Sequence, residues 1–162
     1  MMPRTPDIET ANVGLPYARP AMALFFSRAE EVETIDDPRA RLVIYRIGSS
    51  TLVTRVEGHG SVTHIQRLQR RSEELIARVG SIEVVHDWFA LTSYDGQVRQ
   101  KMTPWAIRTR ASHRAIHIGT SAGIVRMGVT MVRLATNAPI HAYDSLAALE
   151  VALADIIARR AP

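Results

Sequence analysis

Apolar residues recur along this chain with two periods, one of about two and one of about 3.6, and their order predicts an alternation of strands and helices. Leu42, Val43, Ile44, Tyr45 and Ile47 make residues 41–47 β-rich, and Gly48-Ser49-Ser50 is a turn. Leu52, Val53, Thr54 and Val56 form a second strand, so the pair reads as an antiparallel hairpin that Gly58-His59-Gly60 ends. Ser61 then caps a helix in which Val62, Ile65, Leu68, Leu75, Ile76 and Val79 share one face, and Gly80 stands where that helix should stop. Its other face carries Gln66, Arg67, Arg70, Arg71, Glu73 and Glu74, the pattern of a helix packed one-sidedly on a sheet.

Residues 82–91 read as the most buried strand, apolar apart from Glu83, His86 and Asp87. A polar turn follows with Thr92, Ser93, Tyr94, Asp95 and Gly96. Residues 96–102 read as helical, with a restart at Thr103-Pro104, where Thr103 caps, Pro104 takes the first helical position and Trp105 anchors the second piece. Residues 115–119 are a short strand, and 122–135 a helix with Val125, Met127, Met131, Val132 and Leu134 mostly inward. Residues 140–143 are a last strand. Asp144 or Ser145 caps a final helix striped by Leu146, Leu149, Leu153, Ile156 and Ile157.

The order β-β-α-β-α-β-α-β-α implies an α/β fold with a mixed, mainly parallel sheet of four to five strands and about four helices. Prolines at 3, 6, 16 and 20 and Gly14 make residues 1–20 an irregular or mobile arm, leaving 21–162 as a single domain. Residues 21–33 fit a short helix or an edge strand equally, and Asp36-Asp37-Pro38 signals a turn. The 162 residues are 46% hydrophobic, ordinary for one globular domain. The longest apolar run, AMALFF at 21–26, is far short of the ~20 residues of a membrane span. The first ten residues hold no apolar signal core, and the chain has no cysteine. Disulfides, thiolate metal sites and cysteine nucleophiles are thereby excluded, and a cytoplasmic address is expected.

Charge is unevenly distributed. The net charge is +4. No acidic residue occurs between Asp95 and Asp144, a span that holds Arg99, Lys101, Arg108, Arg110, Arg114, Arg126 and Arg133. Glu30, Glu31, Glu33, Asp36 and Asp37 give the opposite bias near the start. The basic half either attracts an acidic protein, phosphate or anionic lipid, or is a solvated face met in space by Glu73, Glu74 or Glu150.

The element order, the strand-turn-helix at HDWFALTSYDGQVR and the closing IHAYDSLAALEVAL together resemble the SpoIIAA-like, or STAS-like, domains (sulfate transporter and anti-sigma-factor antagonist modules). The resemblance spans roughly residues 41–160. It is closest to the group with a DW…YD…R…W signature, here Asp87, Trp88, Tyr94, Asp95, Arg99 and Trp105. It implies a non-catalytic protein-interaction module in bacterial regulation. In the antagonists a serine following an aspartate in the loop before the second helix is phosphorylated, and the added charge breaks the complex. Asp95 takes the place of that aspartate, but Gly96 follows it, so the usual switch is missing.

Other chemistry fits less well. His86 and Asp87, adjacent on a strand, point to opposite faces and cannot join Ser93 in a hydrolase triad. His59 with His64, and His113 with His117, lack the single helical face of a zinc pair. Gly119-Thr120-Ser121-Ala122-Gly123 resembles a small phosphate loop but lacks the lysine of a P-loop. No catalytic residue, metal or cofactor is therefore assigned. The expected contact edge is Thr92, Ser93, Tyr94, Asp95 and Arg99, supported by Asp87, Trp88 and Trp105, and its partner is a protein, a second copy of the chain included. The alternatives are a small anionic or apolar ligand, favoured by an enclosed pocket beside that edge, and single-stranded nucleic acid held by the arginines.

Overall fold

The computed structural model describes residues 29–159. Among these the chain runs β1 (Ala29–Asp37), β2 (Ala40–Ile47), β3 (Thr51–Gly60), α1 (Val62–Val79), β4 (Ile82–Asp87), β5 (Leu91–Tyr94) and α2 (Gly96–Thr109). A 3-10 turn (Arg110–Ser112) leads to β6 (His113–Gly119), α3 (Gly123–Thr136), β7 (Ile140–Tyr143) and α4 (Leu146–Ala158). The expected arm at 1–20 and the segment 21–28 lie outside the described residues. Of the ambiguous stretch 21–33, the described part is edge strand.

The strands form one sheet in the order β1-β2-β3-β4-β6-β7. β1, β2 and β3 are an antiparallel meander; β3/β4, β4/β6 and β6/β7 are parallel, joined by helical crossovers. Alternation sorts the side chains onto two faces. Leu42, Ile44, Leu52, Val56, Ile82 and Val84 point to one face, under α1, α2 and α3. Val43, Tyr45, Ile47, Val53 and Val85 point to the other, under Leu149, Leu153, Ile156 and Ile157 of α4. The mixed, mainly parallel α/β architecture is the expected one, with seven strands rather than four or five.

The extra strands have local causes. β1 extends the hairpin, with a bulge between Glu31 and Glu33. The expected strand 82–91 breaks after Asp87. Trp88–Ala90 form a detour, closed by Leu91 N–H on the Trp88 carbonyl (3.1 Å) and Gly58 N–H on the Ala90 carbonyl (2.9 Å). The chain then resumes as β5 along the far end of β3, pairing Gly58 with Leu91, His59 with Ser93 and Gly60 with Tyr94. Gly58-His59-Gly60 therefore does not end β3 but carries it on, and Thr92, Ser93 and Tyr94 are strand rather than turn. Gly58 (φ +83°) is required here, because a Cβ would lie 2.2 Å from the Arg39 carbonyl oxygen.

Helix ends follow the side chains. Ser61 Oγ accepts the His64 N–H (3.3 Å) while His64 Nδ1 accepts the Ser61 N–H (3.2 Å), a capping box with histidine in place of glutamate. Gly80 (φ +80°) stops α1, and Ser145, not Asp144, caps α4. α2 does not restart at Thr103. It runs unbroken through Pro104, and the Thr103 hydroxyl donates back to the Arg99 carbonyl (3.1 Å). In α3, Val125 is buried and Val132 half-buried, but Met127, Met131 and Leu134 face solvent. The inward side is instead 125, 129, 132 and 136.

Candidate functional site

The parallel register of β3 and β4 sets Thr54 beside His86 and Arg55 beside Asp87. On the helix-bearing face, Thr54 Oγ1 and His86 Nδ1 share a hydrogen bond of 2.7 Å, and the Trp88 indole N–H donates to the same oxygen (3.2 Å). Trp88 stacks on His86 with centroids 4.4 Å apart. Complete burial pushes the His86 imidazole down to about 3, so the ring is neutral. On the opposite face Asp87 accepts from Arg55 Nε (2.9 Å), and Nη2 lies 2.8 Å from the same oxygen in a buried ion pair. Asp87 and Trp88 thus sit in the sheet's interior, beneath the expected edge rather than on it.

The edge itself is organised by a residue the sequence reading passed over. His59, near the end of β3, takes Ser93 Oγ on Nδ1 (2.8 Å) and Asp95 Oδ1 on Nε2 (2.8 Å). Its bond to Asp95, more than any other contact, holds that carboxyl below its usual range. A serine, an imidazole and a carboxylate in line are the parts of a nucleophilic triad. Here they knit β3, β5 and the N-terminus of α2 together. Thr92 donates to the Gly58 carbonyl (3.1 Å). The signal in the sequence was His59 at a glycine-flanked strand end, but its partners became visible only once β5 was seen to pair with β3.

Tyr94 and Arg99 belong elsewhere. With Val98 and Met102 they line an apolar cavity of about 100 Å3 between the helix-bearing face and α2 and α3. Trp105 lines it too, buried, with its indole N–H on Glu73 (3.0 Å) and its ring edge-on to His113 at 5.4 Å. On its lining Arg99 is exposed and Tyr94 and Gly128 are half-buried, whereas Ser72, Trp105 and His113 are buried. Ser93 and His59 do not line it. Ser72 Oγ and His113 Nε2 are buried with no hydrogen-bond partner among the described residues. Burial lowers the His113 pKa, so this ring too is neutral.

Outside the cavity, α2 and α3 form a basic face. Arg108 meets Glu73 (3.2 Å). Arg99, Lys101, Arg110, Arg126 and Arg133 have no ion pair among the described residues. Ile124, Met127, Met131 and Leu134, spaced three and four apart, run along α3 in the same region, Leu134 being 77% exposed. The 119–123 loop is a tight turn, with Thr120 Oγ1 accepting the Ala122 N–H (3.3 Å). No cluster of three metal-binding side chains occurs among the described residues, and no helix there is long and apolar enough to cross a membrane.

No family model and no curated protein matches the chain. Among solved structures, it is similar to an uncharacterised protein of the DUF3478 family with a SpoIIAA-like fold from Shewanella loihica PV-4. The two share 10% identity and a TM-score of 0.54, over 75% of this chain and 99% of the other. The fold is the SpoIIAA-like one that the sequence resemblance implies.

Proposed function

We propose that this domain binds a small, largely apolar molecule in the cavity beneath α2 and α3. One observation carries the reading: an apolar cavity lined by Ser72 and His113, each with a buried polar atom that has no hydrogen-bond partner among the described residues. Buried donors and acceptors are almost always satisfied, and an exception calls for water, an ion or a ligand. A cavity of this order admits a small apolar molecule. Exposed Arg99 on the lining, without an ion pair among the described residues, adds a preference for an anionic or acceptor group there. Tyr94 and Arg99 keep a functional role in this reading, while Thr92, Ser93 and Asp95 hold the frame.

Trp88 and Trp105 both line the cavity, so occupancy should change tryptophan fluorescence. Titration with short alkanes and alcohols should give saturable, one-to-one binding. Val129→Phe, which fills the cavity, should abolish it without lowering the Tm. Absence of saturable binding, or binding unchanged by the filling variant, would overturn the reading.

A second reading, protein docking, is favoured by the apolar stripe of α3 among unpaired bases. Its partner would carry carboxylates around apolar side chains, and the acidic β1 of a second copy is one such surface. Sedimentation velocity should then show association that weakens with salt and disappears in Leu134→Glu. A monomer at all concentrations would remove the second copy as partner.

A further inference from the structure

We propose that the molecule held in this cavity carries a hydroxyl group, and that this group docks against the buried polar atoms of Ser72 and His113. The inference rests on the ligand reading above and adds the chemistry of the occupant.

His113 Nδ1 lies 2.9 Å from the Thr109 carbonyl oxygen. A carbonyl only accepts, so Nδ1 carries the proton. A neutral imidazole then has a bare lone pair on Nε2, the buried atom without a partner. Ser72, fully buried on α1, offers an O–H with no acceptor among the described residues. Ser72 and His113 line the same cavity, and the Trp105 ring, also on its lining, meets His113 edge-on.

The site therefore presents one acceptor and one donor on the lining of an apolar cavity. A hydroxyl has the complementary pair, an O–H for Nε2 and lone pairs for the Ser72 O–H. A carboxylate brings no donor and sets its charge against the Nε2 lone pair. An ammonium brings donors but meets no carboxylate among the residues that line the cavity. A pure hydrocarbon leaves both protein atoms unpaired.

The test compares 1-pentanol with the near-isosteric n-hexane on the full chain, read by tryptophan fluorescence and calorimetry. The expected result is pentanol binding about tenfold more tightly, the scale of one satisfied against one unsatisfied buried hydrogen bond. Ser72→Ala and His113→Phe should each reduce that preference to about twofold. Saturating pentanol should also move the His113 Nε2 nitrogen resonance. If His113→Phe fails to fold, Ser72→Ala and the nitrogen resonance decide. Equal affinities would mean that the polar pair is satisfied by water, which overturns the hydroxyl assignment and leaves the cavity as a ligand site. A preference that survives the foldable variants overturns it as well. Binding of neither probe would overturn both readings together.

Discussion

Adjacent residues with opposite destinations give β4 its character. His86 and Asp87 are consecutive, yet one is a neutral ring in the helix-bearing core and the other a charged partner of Arg55 on the far face. Removing either should be felt differently. Asp87→Ala leaves a buried guanidinium short of its carboxylate and should cost about 3–5 kcal/mol in denaturant unfolding. His86 acts through pH. Its folded-state pKa of about 3 lies below the ordinary 6.5, so between those values the unfolded chain binds a proton that the folded chain does not. Stability should therefore fall on acidification from about pH 6.5, by up to ~1.4 kcal/mol per pH unit for each such group. Burial lowers His64, His113 and His117 too, which steepens the slope. Thermal melts between pH 7 and 5 should show the fall, and His86→Gln should flatten it. An unchanged Tm across that range would disprove this account.

Helices and strands show where period and composition suffice and where they do not. α1 was legible to its caps and α4 to within one residue of its start, because each has one apolar stripe and a capping residue before it. α3 was misread because it is apolar over two adjoining stripes, and composition alone does not say which one meets the sheet. β5 was misread as a turn because Thr92, Ser93 and Tyr94 have a turn's polarity, while their pairing with β3 depends on a break at Trp88 that no local pattern announces. Pro104 was read as a boundary, the usual meaning of an internal proline. Trp105 and Ala106, both buried, hold the helix together across it. Pro104 is exposed and lacks an N–H for the Gln100 carbonyl, so Pro104→Ala should raise the unfolding free energy by about 1–3 kcal/mol. No gain in denaturant midpoint would show that the ring packs usefully.

At the scale of the molecule, the SpoIIAA-like fold was legible from element order and one signature, and the site was not. The expected edge residues divide between a clamp around His59 and the lining of a cavity, because a short strand and a helix carry them apart. The cavity draws on α1, α2, α3 and five strands, so no contiguous motif encodes it. One border of the sheet has a consequence of its own. β1 carries Glu30, Glu31, Glu33, Asp36 and Asp37 and is kinked by its bulge. Charged side chains, most of them ion-paired within the molecule, and a broken rhythm of hydrogen-bonding groups keep a second molecule from zipping onto it. Neutralise that guard, by acid or by Glu31→Val with Asp36→Val, and thioflavin-positive fibrils should grow faster than from the unaltered chain.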